Sequence, residues 1–409
     1  MLHEISGVHV FMVDRRFMQH LSTSKFEIHL SGNMGQTLSE PVTAKETSSC
    51  ANEFVKVGAS CMQGWRINME DAHTHLLSLA EDKEAMFFAV YDGHGGAKVA
   101  EYAGINLHKK IVSHSSYKKG DIVDAMKSSF LEVDSDMLKD ENMKDELAGT
   151  TAVVVLIKNG KIYCGNVGDS RSVASVAGAV QQLSFDHKPS NEGETKRIVA
   201  AGGWVEFNRV NGNLALSRAL GDFVFKKNEK KPPEEQIVTA YPDVVVKDLT
   251  SDHEFIVLAC DGIWDVMTND EVVEFVRTRI AARMEPEQIC EELMTRCLAP
   301  DCQMGGLGCD NMTVVLVCLL QGESYEDLAN KCSRVYNTSG HEDSLILSES
   351  SASEAEDDSK PDAYQQRDCN RAEQVSCGLN RSAPVQSSEQ PLLSGLDSGV
   401  RDGEELTIA

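Results

Sequence analysis

Basic residues are in short supply. Lys and Arg number 39 against 64 Asp and Glu, leaving a formal charge of −25. A general nucleic-acid binder or an anionic-membrane binder needs a basic face to replace counterions, so no nucleic-acid partner is expected. Long apolar runs are also missing. The longest, Phe255–Cys260 and Met312–Leu320, are strand-sized and far short of the roughly 18 residues of a membrane span. No continuous apolar stretch follows Met1, so no secretory signal is read. Aromatics are only 6% of the chain, yet 41% of residues are hydrophobic, enough for a real core.

Cysteine is not scarce, at 12 residues, but its settings argue against a disulfide framework. Cys164, Cys260 and Cys318 sit in apolar runs, where a thiol behaves as a small hydrophobe. Cys297, Cys302 and Cys309 are loosely spaced with no histidine nearby, so buried or loop thiols are expected there rather than zinc. A reducing compartment follows, with a cytoplasmic protein as the expectation and nuclear or membrane association beside it.

Composition divides the chain into an irregular, polar extension at 1–53, a structured block at 54–320, and a tail at 321–409. The tail holds 15 Ser and 18 acidic against 7 basic residues, and it is expected to be disordered. In the middle block, Ala152–Ile157 and Lys161–Val167 flank an Asn-Gly turn, a hairpin signal; Val173–Val176 and Ala179–Leu183 flank Ala177-Gly178 more weakly. Met86–Tyr91, Phe255–Cys260 and Met312–Leu320 read as strands buried on both faces. Helices are expected over 97–112, 122–138, 194–201, 270–283 and 287–298, with Asp270 as a cap and Pro286 at a first-turn position. Hairpins with grouped helices imply an α+β fold of antiparallel sheets covered by helices.

The aspartates fall at strand ends. Asp92 follows Met86–Tyr91, Asp169 closes a hairpin strand, Asp261 follows Phe255–Cys260, and Asp310 precedes Met312–Leu320. Antiparallel pairing of the last two strands puts Asp261 and Asp310 on one rim, where Asp92 and Asp169 could join them. Clustered carboxylates repel unless a proton or cation intervenes, and hard oxygen donors select Mg²⁺ or Mn²⁺. Taken singly, an aspartate after a strand is usually a turn or cap residue. Upstream, Arg66 stands four residues before the pair Glu70–Asp71; Arg is the preferred bidentate partner of phosphate, although a surface Arg–Glu pair is the commoner meaning.

Eight stretches occur in order across residues 55–320: GWRINMED (64–71), FAVYDGHGG (88–96), GTTAV (149–153), GDSR (168–171), DHKPS (186–190), VNGNLALSRALGD (210–222), ACDGIWDVM (259–267) and GCDNMT (308–313). With them the chain resembles the metal-dependent Ser/Thr protein phosphatases of type 2C. The resemblance implies a central β-sandwich flanked by helices, a four-layer αββα fold. It implies that Asp92 bridges two Mn²⁺ or Mg²⁺ ions, that the Gly93 carbonyl completes one shell, and that Asp261 and Asp310 bind the other ion. Glu70 and Asp71 would orient waters on the metals, Asp169 with Asp265 would form a weaker third site, and Arg66 would hold the substrate phosphate. A water activated by two ions would attack the phosphoserine or phosphothreonine of a protein without a phosphoenzyme. His94 would protonate the leaving oxygen, a role its ordinary pKa of about 6.5 suits; without the resemblance it reads as a turn residue. Residues 188–220 would include a mobile flap beside the site. His73 and His75 read as partly buried structural residues.

The alternative reading is a catalytically weak relative that binds phosphoproteins as a scaffold; a third is a hydrolase of small phosphoesters. The full set Asp92, Asp261 and Asp310 favours the enzyme. A monomer is expected. Met34-Gly35-Gln36-Thr37-Leu38-Ser39 fits an N-myristoylation pattern if translation starts at Met34, which would give weak membrane association through Gly35.

Overall fold

The computed structural model describes residues 9–10, 37–302 and 306–334. The Met34–Gly35 pattern and nearly all of the acidic tail lie outside them.

Two six-stranded sheets face each other. The first is built around β3 (Ala72–Leu76), β4 (Met86–Tyr91), β5 (Ala152–Lys158), β6 (Lys161–Val167) and β9 (Asp243–Asp248), with His9–Val10 on its edge. The second runs β8 (Ala179–Gln182), β7 (Arg171–Val176), β10 (His253–Ala259), β11 (Met312–Leu319), β2 (Val55–Arg66) and β1 (Thr37–Ala51). The strands of these two sheets pair antiparallel throughout.

Strand periodicity explains the layers. Successive side chains point to opposite faces, so a strand apolar at every position serves two cores. Phe87, Ala89 and Tyr91 of β4 pack under α1 (Lys98–Ser113) and α2 (Ile122–Met137), while Phe88 and Val90 meet Val57, Leu258 and Val315 of the opposite sheet. Val257, Val314 and Leu316 face outward to α4 (Asn269–Ala281), α5 (Pro286–Cys297) and α6 (Tyr325–Cys332). The result is the expected αββα stack. Each such side chain, fully removed from water, contributes about 1.5–3 kcal/mol.

The Asn-Gly hairpin forms as expected, with Lys158 opposite Lys161 and positive φ at Asn159 and Gly160, the signature of a primed turn. The five expected helices form within two residues of their expected ends. Pro286 opens α5 at its first turn; at α4 the cap is Thr268, in a capping box with Glu271, not Asp270.

Three readings change. Residues 37–51 are not irregular but form β1, paired along β2 with two register shifts. Helix α6 carries the ordered fold past residue 320, because Leu328, Ala329 and Cys332 complete the outer core. Cys302 and Cys309 form a disulfide rather than two thiols: Ala299 donates to the Gly308 carbonyl, the loop folds back, and the two Cα atoms come within 6.0 Å. The eight other cysteines with described surroundings are thiols, most of them buried.

Candidate active site

The site forms where the chain changes sheets. One crossing runs from β2 to β3 and carries Arg66, Glu70 and Asp71; another runs from β6 to β7 and carries Asp169. Asp92 ends β4 of one sheet, while Asp261 and Asp310 sit at the adjoining ends of β10 and β11 of the other, whose register sets Ala259 opposite Val314. A cavity of about 570 Å³ opens there, lined by Arg66, Glu70, Asp92, Gly93, His94, Asp169, Asp261 and Asp310. Of the residues expected from sequence, Asp71 lies beneath this floor and Asp265 at the exposed end of the turn that Asp261 begins.

Neutral groups fix the carboxylates. Thr151 Oγ1 accepts from the Asp92 amide at 3.2 Å, and the Thr151 amide donates to the Asp92 carbonyl at 2.9 Å. Thr313 Oγ1 donates to Asp71 Oδ2 at 2.7 Å. Asn311 pins the β2–β3 crossing: its Oδ1 accepts from the Glu70 amide, and its Nδ2 donates to the carbonyls of Gln63 and Asn68. Gly93 is required by close approach, since a Cβ there would lie 2.2 Å from the Glu70 carbonyl oxygen.

The electrostatics are those of crowded, partly desolvated acids. Burial, then the charges of Asp261, Asp71, Asp310 and Asp169, push the Asp92 carboxyl well above its ordinary range. Burial, with Asp169, Asp310 and Asp265, does the same to Asp261. Asp71 is pushed up to about 7, chiefly by burial. Its Oδ1 is buried with no hydrogen-bond partner among the described residues, and Asp71, Asp92 and the Cys260 thiol offer ligand atoms within 4.8 Å of one another. An orphaned buried carboxylate oxygen amid mutually repelling oxygen donors fits a divalent cation.

Two basic side chains enter this acid cluster. Arg66 Nη2 meets Asp310 Oδ2 at 2.5 Å, so the residue expected to hold phosphate is engaged by a residue expected to hold metal. Lys188 Nζ meets Asp169 Oδ2 at 2.5 Å.

His94 has a partner that sequence reasoning missed. Its Nε2 lies 2.7 Å from Asp222 Oδ2, and Asp222 is 4% exposed, held at positive φ with its amide donating to the Ala148 carbonyl. Burial by itself would lower the His94 pKa; the hydrogen bond and charge of Asp222 outweigh it and hold it above the usual value. Gly149 backs the pair, since a Cβ there would fall 2.2 Å from Asp222 Oδ2. Asp222 was legible only as the last letter of a motif.

Residues 188–220, where the resemblance implies a flap, include helix α3 (Glu192–Ala200) and a hairpin of Val205–Glu206 with Arg209–Val210. Arg209 and residues 213–216 wall one side of the cavity. His73 and His75 lie away from this lining, fully buried and stacked at 5.7 Å; burial lowers the His73 pKa to about 4.

A family model described as protein phosphatase 2C matches residues 55–304. The chain belongs to the protein phosphatase 2C family. The "Probable protein phosphatase 2C T23F11.1" of Caenorhabditis elegans is 69% identical over 301 residues, spanning 74% of this chain and 85% of that one. Protein phosphatase 2C homolog 3 of Schizosaccharomyces pombe is 57% identical over 291 residues, 70% of each chain. A crystal structure of a phosphatase from Toxoplasma gondii superposes with a TM-score of 0.58 at 26% identity, covering 68% of this chain and 95% of that one. The protein is thus a metal-dependent protein serine/threonine phosphatase, and its substrates are phosphoproteins.

Proposed function

We propose that this phosphatase hydrolyses phosphoserine and phosphothreonine by direct attack of water, with Asp92, Gly93, Asp261 and Asp310 holding two Mn²⁺ or Mg²⁺ ions. Glu70 and Asp71 support them, and Asp169 with Asp265 receives a weaker third ion. The observation that carries the reading is the convergence of Glu70, Asp92, Asp169, Asp261 and Asp310 with His94 and Arg66 on one cavity. When bound, the ions supply an activated water at neutral pH and neutralise phosphoryl oxygens.

The chain's own residues do the rest. Arg66 presents a guanidinium that suits two phosphate oxygens, with Arg209 in the same cavity lining as a second cation. Water attacks phosphorus, the bond from phosphorus to the Ser or Thr oxygen breaks, and His94 gives that oxygen a proton. Because Asp222 engages Nε2, the nitrogen left for this transfer is Nδ1. Among the described residues no Ser or Cys lines the cavity, and the lining hydroxyl, Thr151, is bonded to Ser170 and the Asp92 amide. That supports a route without a phosphoenzyme.

The test is phosphate release from a phosphothreonine peptide by chelator-treated protein. Mn²⁺ should restore turnover to wild type and not to Asp261→Asn. No labelled protein should be trapped on quenching with ³²P-peptide. Chelator-resistant turnover or a trapped phosphoprotein would refute the mechanism, and equal activity on a nucleotide panel would favour a small-phosphoester hydrolase.

A further inference from the structure

The acid cluster contains a cation that belongs to the chain. Lys188 sits in the segment that leads from the second sheet into flap helix α3, and its backbone is tightly placed. The His187 amide donates to the Gly168 carbonyl at 2.9 Å, and the Gly168 amide donates to His187 Nδ1 at 3.2 Å. The Lys188 carbonyl accepts from Asn191 at 3.0 Å, and His187 Nε2 is fixed 3.1 Å from Asp243 Oδ2. These bonds lay the Lys188 segment directly against the turn that carries Asp169.

The neighbouring charges are already allotted. Asp186 is held bidentately by Arg171, through Nε and Nη2 at 3.0 Å each. Asp310 is engaged by Arg66. Asp169 is 6% exposed, and the basic group recorded on it is Lys188 Nζ at 2.5 Å. The same ammonium acts on Asp261 and Asp265, opposing the upward push that burial and Asp169 exert on both. A single ammonium therefore faces the three carboxylates on this side of the site.

We infer that Lys188 is a tethered competitor of the third divalent ion: its ammonium occupies Asp169 until that ion displaces it, and so sets the ion's affinity. The inference rests on the metal reading above. An ion arriving at Asp169 must break a charge-assisted hydrogen bond before it gains its ligand, whereas among the described residues no basic side chain is bonded to Asp92 or Asp261, and Arg66 holds one oxygen of their neighbour Asp310. That cost weakens the third ion without any change in ligand type. An ammonium cannot copy a divalent ion, because it carries one charge and only donates hydrogen bonds.

The experiment is Mn²⁺ binding to the chelator-treated full chain, followed by calorimetry and by the loss of free Mn²⁺ signal in electron paramagnetic resonance. Wild type should show a tight class and a weak class. Lys188→Met should tighten the weak class by roughly ten- to hundredfold, the range a charge-assisted hydrogen bond spans, and leave the tight class unchanged. Lys188→Arg, which keeps the charge, should stay within about threefold of wild type, as should Lys196→Met on the exposed face of the flap helix. In wild type the Lys188 amine should become more reactive to an acylating reagent as the weak class fills, read by peptide mass spectrometry; this readout needs no variant to fold. An unchanged or lost weak class in Lys188→Met, or a Lys188 amine whose reactivity ignores Mn²⁺, overturns the inference. A wild type that binds no Mn²⁺ would instead overturn the metal centre itself.

Discussion

The His94–Asp222 pair invites a perturbation that separates proton delivery from metal binding. Asp222→Asn preserves the shape of a side chain that is 5% exposed and leaves an oxygen able to accept from Nε2, but removes the charge. The 2.7 Å bond is charge-assisted when His94 is protonated, and such bonds contribute about 1.5–3 kcal/mol. If the whole of that stabilises the proton-donating form, turnover of a phosphoserine peptide should fall roughly 10- to 100-fold, since about 1.4 kcal/mol is a factor of ten. His94→Gln, which removes the acid itself, should cost roughly 10²–10⁴.

The assay compares leaving groups. An aryl phosphate departs as a phenolate and needs no proton, so both variants should come close to wild type on it. The alkaline limb of the peptide pH profile should move to lower pH in Asp222→Asn, because Asp222 is what holds the His94 pKa up. Adding Asp222→Asn to His94→Gln should cost less than about threefold more, since the two residues act as one unit. Equal losses on both substrates, or additive losses in the double variant, would refute the assignment and return Asp222 to a structural role.

Gly58→Ala would place a Cβ 2.2–2.3 Å from backbone atoms of Pro286 and Glu287 in α5, a contact no rotamer relieves, so melting should report about 1–3 kcal/mol of destabilisation or more; an unchanged melting temperature would contradict the packing. Glu194, buried in the flap, would be raised by that burial, but Arg218, Arg197 and Ser217 hold it at about 2 against an ordinary 4.5. Its depressed value contributes about 3 kcal/mol above pH 4.5, lost as pH falls toward 2. Protection from hydrogen exchange across residues 190–220, taken relative to the intrinsic rate at each pH, should therefore fall steeply below about pH 4 in wild type and be low at neutral pH in Glu194→Ala; a segment equally protected at pH 3 and pH 7 would count against the network.

The layers were legible because strand alternation is a local property: Phe87 and Phe88 must face different cores whatever surrounds them. The acidic rim was legible for a related reason, since a residue at a strand end inherits the position of that end. Side-chain pairing across long separations was not. Asp222 reaches His94 over 128 residues, Arg66 reaches Asp310 over 244, and Asn311 reaches back to Glu70, with nothing local announcing the partner. Strand β1 escaped detection because its sequence, TLSEPVTAKETSSCA, is an edge strand whose faces are half-buried or exposed and lacks the apolar alternation of an inner strand. Helix α6 announces itself through the Ser324–Asp327 capping box, a signal masked by the polar composition of the tail around it.

Carboxylates gathered at the crossings between sheets cost the fold stability, and that cost yields a last prediction. Asp92 is half-buried and faces the charges of Asp261, Asp71, Asp310 and Asp169, which with burial push its pKa well above 3.8. In chelator the folded state therefore retains protons that the unfolded chain releases, so stability falls as pH rises past the ordinary aspartate pKa. Asp71, raised to about 7, extends that fall to neutrality. Asp92→Asn removes one repelling charge while its backbone bonds to Thr151 remain. The variant should melt higher than wild type in chelator at pH 7.5, lose that advantage near pH 4, gain less from added Mn²⁺, and show no turnover. An Asp92→Asn protein that melts lower than wild type in chelator would mean that Asp92 contributes structure rather than strain, and that the cluster was not assembled at the expense of stability.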